Sequence, residues 1–180
     1  SLFRTVDEHY NPIVTALAGM AKPVIAAVNG VAAGAGASLA FACDLRILAD
    51  TAGFNLAFAN VALSCDTGAS YHLQRLVGRA RALDLLYFPR TLKAEESAEI
   101  GLATRVVPAD QLAAEVRGLA ERLAAGPTVA LGAMRQSVAY AAGHSFEEAL
   151  EFESAMMTKT GATADHRAAV ASFVAKEKPV

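Results

Sequence analysis

The chain has 180 residues, 54% hydrophobic and 19% charged, which suits one globular domain with a substantial core and excludes a disordered segment. Sixteen Lys and Arg against eighteen Asp and Glu give a formal net charge of -2, so no basic excess exists to neutralise a nucleic-acid backbone. Two cysteines, Cys43 and Cys65, are too few to staple a scaffold and lack metal-site spacing, which points to a reducing compartment, the cytoplasm.

In chain order, Asn11-Pro12 reads as an N-cap followed by proline at the first helical position, opening a helix to about Met20 that Lys22-Pro23 ends. The uncharged run 23–43, PVIAAVNGVAAGAGASLAFAC, is long enough to span a bilayer. Its Pro, Asn, Gly and Ser content, and the abrupt change from Val and Ile to Gly and Ala, point instead to a buried strand, a turn and a buried helix. Val24–Val28 is the predicted strand, Gly30–Gly36 the turn and Ala37–Cys43 the helix. SLFRTVDEHY carries acids and no apolar stretch, so it is not a signal peptide. Leu45–Ala49 is a second strand, and Phe54–Leu63 a short strand and loop.

Helix signals dominate from Gly68 onward: 69–88 with a break at Gly78 and a stop at Pro89, then Ala94–Ile100 with Gly101 as C-cap glycine. Thr104–Val107 is a short strand closed by Pro108. Asp110 opens a helix to about Ala125, and Val129–Ala142 follows the Gly126-Pro127 break. Ser145 and Glu148 form a capping box for a helix to about Met157, and Thr163 or Asp165 opens the last, ending near Lys176. Strands alternating with short helices imply an α/β arrangement.

The glycine cluster Gly34-Ala35-Gly36 lies between strand and helix. Dinucleotide binding by G-x-G-x-x-G fails because Leu39 stands at the third glycine, and a P-loop fails for want of its lysine. Two readings remain: a tight turn packed beneath another element, or a turn that aims backbone N–H groups at an oxyanion.

The stretches 22–50 (KPVIAAVNGVAAGAGASLAFACDLRILAD), 54–70 (FNLAFANVALSCDTGAS), 76–108 and 168–179 (AAVASFVAKEKP) resemble the crotonase (enoyl-CoA hydratase/isomerase) superfamily in order and spacing. The resemblance implies an α/β fold in which residues 1–108 form part of a ββα spiral core that binds acyl-CoA, and 109–180 a C-terminal helical region. That region implies a homotrimer or dimer of trimers. No cofactor is implied, coenzyme A being part of the substrate, and no metal, nucleic acid or membrane partner is expected. The chain starts at the helix leading into KPVIAAVNG, so the opening third of the family domain, with its second oxyanion donor, is expected to lie outside this sequence.

Matching the family's G-G-G turn puts one oxyanion N–H on Ala35, between Gly34 and Gly36, which are expected to touch substrate. Family hydratases use two glutamates, and the matching positions here are Ser38 and Phe58. Neither can exchange a proton as a carboxylate does, so two-glutamate hydration is not expected; Phe58 becomes a substrate-lining residue. Asp66, in Leu63-Ser64-Cys65-Asp66-Thr67-Gly68-Ala69, falls where one branch carries an acid in a P-D-G-G-type loop, with Cys65 replacing the proline. That branch includes enoyl-CoA isomerases and the ring-epoxyphenylacetyl-CoA isomerase of phenylacetate breakdown. One carboxylate suffices to move a proton between two carbons, and burial among Leu63, Cys65 and Tyr71 would strengthen it as a base. The alternative is that Asp66 caps a helix beginning near Thr67.

Phe173 and Lys176 match a family F-x-x-K segment at the adenine and phosphate end of coenzyme A; helical spacing alone would make Phe173 core or subunit interface. His72 reads as a partly buried helix histidine, Cys65 as small apolar packing, Tyr71 as a wall, and Arg79 and Arg81 as a solvated face. The leading expectation is an acyl-CoA isomerase using Asp66 and the Ala35 amide. The alternatives are an atypical hydratase or ring-epoxide isomerase on the same enolate chemistry, and a non-catalytic acyl-CoA-binding or assembly protein.

Overall fold

The computed structural model describes residues 1–176, apart from the side chains of Leu2 and Phe3. The end of the AAVASFVAKEKP match therefore lies outside the described residues. Contacts divide the chain into two compact units, Ser1–Met20 with Val24–Ala120, and Ala21–Pro23 with the residues from Glu121 onward.

The first unit opens on helix α1 (Leu2–Thr5), a π turn (Val6–Tyr10) and α2 (Asn11–Gly19). Asn11 is helical and caps nothing: its N–H reaches back to the Val6 carbonyl, a π-type bond. The expected helix start at Asn11 is thus an interior position. Pro12 has no N–H and its ring crowds the carbonyl four residues back, and a wide turn just before it accommodates both without ending the helix.

Two three-stranded sheets follow. In one, β1 (Ile25–Val28), β3 (Leu45–Ala49) and β6 (Arg105–Val107) run parallel in the order β1-β3-β6, with Ile25 opposite Leu45 and Ile47 opposite Arg105. In the other, β2 (Val31–Ala33) pairs parallel with β4 (Gly53–Asn55), and β4 pairs antiparallel with β5 (Leu92–Lys93). Strand β2 corrects the turn expected over Gly30–Gly36, and β5 falls in a stretch with no expected strand. Both are too short for a periodic signal, and their pairing is set by β4 between them. Gly53 is required there because a Cβ would meet the Leu92 carbonyl oxygen at 2.2 Å. The mixed strands and helices match the expected α/β class.

Helices α3 (Ala35–Phe41), α4 (Ala69–Val77), α5 (Arg79–Tyr87) and α6 (Ala94–Glu99) pack around the sheets, with the expected break at Gly78. Phe54, Ile47, Leu48, Leu56, Leu73, Leu92 and Leu102 are buried, and the Phe41 and Phe54 rings lie 4.9 Å apart. Helix α7 (Leu112–Ala124) buries Leu112 and Leu119, two turns apart on one face.

In the second unit α8 (Thr128–Ala141) packs on α9 (Phe146–Gly161), which contacts α10 (Ala164–Ala175). The Ser145–Glu148 capping box forms as expected, Thr163 caps α10, and α9 runs past Met157 to Gly161. Tyr140 stacks between His144 at 3.6 Å and Phe152 at 4.2 Å. No helix among the described residues is long and apolar enough to cross a membrane.

Candidate active site

The site grows from the crossing between β2 and α3. Gly34 has φ of 51°, a conformation that suits glycine, and its N–H donates to the Asn55 carbonyl at 2.9 Å, tying the turn to β4. Helix α3 then starts at Ala35. The first N–H groups of a helix have no acceptor within it, so the half-buried Ala35 presents a fixed donor of the kind an oxyanion needs. Gly36 is exposed beside it.

Ser38 is fully buried, and its Oγ donates to the Gly34 carbonyl at 3.2 Å, so the hydroxyl is engaged in holding the turn. Phe58 is buried, and its ring lies 3.7 Å from where a Cβ on Gly34 would sit, forming an apolar wall against the turn. The Phe58 carbonyl accepts the N–H groups of Val61 at 3.2 Å and Leu63 at 3.1 Å, which carries the chain from that wall toward Asp66.

Asp66 is half-buried at the entry to α4, which packs on α3. Its carboxylate does not cap that helix: the cap is Gly68, with φ of 84° and no side-chain bond to the helix. The Asp66 backbone carbonyl accepts the Ala69 N–H at 2.9 Å, and Oδ1 accepts the Thr67 hydroxyl at 2.9 Å. The capping alternative is therefore set aside, because Thr67 and Gly68 both take left-handed backbone and delay the helix to Ala69. The expected enclosure by Leu63 and Tyr71 is also corrected, since both are exposed and only Cys65 is half-buried. Tyr71 instead lies under the Arg75 guanidinium, 3.6 Å from its ring centroid.

His72 is half-buried on α4 beside Gly68 and meets Tyr71 edge-on at 5.1 Å. Burial, then the charges of Arg75 and Arg46, holds its imidazole below the ordinary 6.5. Arg46, buried on β3, was missed in the sequence. It donates Nε to the Leu102 carbonyl at 2.6 Å and Nη1 to the Cys43 carbonyl at 2.8 Å. A charged residue at the second position of a five-residue strand otherwise made of Leu, Ile and Ala was the available signal.

Gly34, Ala35, Ser38 and Phe58 thus form one cluster, and Asp66 follows on the same stretch of the first unit. Phe173 and Lys176 belong to the second unit. Phe173 is 84% exposed on α10, so it is no core residue of this chain, and Lys176 ends that helix with φ of 57°. Among the described residues no group of three or more His, Cys, Asp or Glu is placed to hold a metal ion.

A family model described as Enoyl-CoA hydratase/isomerase matches residues 4–180. The chain belongs to this family, the crotonase superfamily. It is 41% identical over 175 residues to the 1,2-epoxyphenylacetyl-CoA isomerase of Escherichia coli K12, covering 97% of this chain and 67% of that protein. It is 32% identical over 168 residues to the short-chain-enoyl-CoA hydratase of Clostridium acetobutylicum, covering 93% and 64%. Among solved structures, an enoyl-CoA hydratase/isomerase from Cupriavidus metallidurans superposes with a TM-score of 0.94 at 29% identity, over 99% of this chain and 67% of that one. The crotonase fold and an enzyme of this family are thereby established, and the names of these two relatives divide between isomerisation and hydration.

Proposed function

We propose that this crotonase-family enzyme is an acyl-CoA isomerase with Asp66 as its proton shuttle. The observation that carries the reading is the fate of three positions. Ser38 spends its hydroxyl on the Gly34 carbonyl, Phe58 is an apolar wall, and Asp66 accepts the Thr67 hydroxyl on Oδ1 alone, leaving the other carboxylate oxygen for a proton. Adding water across a double bond asks for two coordinated proton transfers, whereas migration of the bond asks for one shuttle.

In this reading the Ala35 N–H polarises the thioester carbonyl. Asp66 removes a proton from the carbon next to it, the electrons pass into the enolate, and the Asp66 carboxyl, which can exchange its proton with solvent meanwhile, delivers a proton to the far end of the conjugated system as the double bond shifts. Substrate and product have the same atoms, so no cofactor enters; coenzyme A arrives as part of the substrate, with Phe173 and Lys176 assigned to its adenine and phosphate end. The reading places the enzyme in the cytoplasm, in keeping with two cysteines that form no disulfide, and in a trimer or dimer of trimers.

Asp66→Asn tests the assignment, because the amide keeps the shape and cannot accept the proton. In the complete polypeptide it is expected to lose about 10²- to 10⁴-fold in turnover of an enoyl-CoA and to stop incorporation of solvent deuterium, with acyl-CoA binding nearly unchanged. Ser38→Ala and Phe58→Leu are expected to have far smaller effects. An Asp66→Asn enzyme that isomerises at the parent rate refutes the role. A second reading, ring-epoxide isomerisation, is favoured by the 41% identity to a 1,2-epoxyphenylacetyl-CoA isomerase. Comparing turnover of an epoxide-bearing aryl-CoA with that of an enoyl-CoA separates the two.

A further inference from the structure

Among the described residues, three that are not glycine have positive φ: Ala62, Thr67 and Lys176. Thr67, at φ of 55°, is the costly one, because a β-branched side chain is crowded in the left-handed region. It is also 2% exposed, in a backbone conformation that a glycine would take without strain. A buried threonine at such a place brings what glycine lacks, a hydroxyl, and that hydroxyl donates to Asp66 Oδ1 at 2.9 Å. On the other side of Asp66 the proline of the P-D-G-G-type loop, which would fix the backbone, is replaced by Cys65.

We propose that Thr67 is a positioning residue for the base: its hydroxyl holds one carboxylate oxygen of Asp66 and leaves the other turned to the substrate. It restores by hydrogen bonding some of the rigidity that Cys65 gives up, at the cost of a strained backbone. The inference rests on the reading of Asp66 as the proton shuttle.

The test is a set of variants in the complete polypeptide, assayed for double-bond migration in an enoyl-CoA and for thermal unfolding. Thr67→Val keeps the branched shape and the strain but has no hydroxyl; Thr67→Gly removes both hydroxyl and strain; Thr67→Ser keeps the hydroxyl. A hydrogen bond to a charged group is lost in the first two, so kcat is expected to fall about 10-fold, with KM unchanged, while Thr67→Ser stays near the parent. A role confined to folding would instead follow the melting temperature, and the relaxed Thr67→Gly would then keep its kcat. Parental kcat in Thr67→Gly, or a fall in Thr67→Ser equal to that in Thr67→Val, overturns the inference. Should Thr67→Val not fold, Thr67→Gly and Thr67→Ser decide the matter alone. Asp66→Asn runs alongside: parental turnover there overturns the base assignment and this inference with it, whereas a dead Asp66→Asn beside a fully active Thr67→Gly overturns this inference only.

Discussion

Replacing Arg46 by methionine removes a buried fastener of the first unit and leaves the carbon skeleton's bulk in place. Arg46 is 6% exposed, and its guanidinium closes the carbonyls of Cys43, just past α3, and Leu102, just past α6. Its backbone is separately secured, donating to Thr104 Oγ1 at 2.9 Å and accepting the Thr104 N–H at 2.8 Å, so the strand pairing survives the change. Loss of the donor to a buried carbonyl costs about 1–3 kcal/mol, so the buried Leu102 bond counts for more than the part-buried one to Cys43. Releasing the guanidinium from a buried site offsets part of that, and burial does hold its pKa down. The net expected loss is about 2–3 kcal/mol, or roughly a 1 M fall in the urea midpoint at an unchanged slope of about 2–3 kcal/mol/M. Arg46→Lys recovers part of it at most, since one ammonium cannot reproduce the two-point grip of a planar fork. A methionine variant that unfolds at the parent's midpoint would refute the argument that these two hydrogen bonds outweigh the desolvation of the charge.

His72 predicts a pH dependence. Its folded-state pKa lies below 6.5, so the unfolded chain binds the proton more readily, and its contribution to stability is complete above pH 6.5 and lost as pH falls toward the depressed native value. Melting curves of the parent and of His72→Gln should therefore diverge below pH 6.5; parallel curves would show that His72 is not the titrating group. Acyl-CoA esters should raise the melting temperature and NAD and ATP should not, a ligand at a hundred times its Kd giving about 2.7 kcal/mol; a shift with NAD and none with CoA esters overturns the ligand assignment. Exposed Val138, Phe146, Met157 and Val174 on the second unit are expected to be covered by other copies. Light scattering that finds a folded monomer at micromolar concentration contradicts the trimer.

The long elements were legible because their signals are local. The Gly78 break and the Ser145–Glu148 box need only neighbours in sequence to form, and the five-residue run Leu45–Ala49 is long enough to read as a strand although it is held by β1 and β6. Strands β2 and β5 were not legible, being three and two residues long and defined by β4, which pairs with both. Asn11-Pro12 misled for a different reason: the same dipeptide that starts a helix also fits inside one when a π turn precedes it. At the site, Ala35, Ser38 and Phe58 were placed by their motif positions, and the structure adds what each side chain does. The hydrogen bond of Thr67 and the buried span of Arg46 depend on backbone angles and on carbonyls from distant segments, and no spacing rule carries either.

The chemistry of this enzyme turns on very few atoms. In the proposed mechanism the oxyanion donor is a backbone N–H, so it would be set by the turn at Gly34 and would tolerate Ala35 in place of glycine. Such a donor serves any reaction that passes through a thioester enolate, which is why relatives named for hydration and for isomerisation share one fold. What separates the reactions must then lie in the side chains that hold or deny a proton. Here two of the three positions deny it, one by spending a hydroxyl on the turn and one by presenting a ring. The third retains a carboxylate in a loop whose Thr67 and Gly68 both take left-handed backbone, an arrangement that helix capping does not require and the structure does not use for capping. Strain retained beside a carboxylate is more readily explained by a need to aim that group than by any gain in stability.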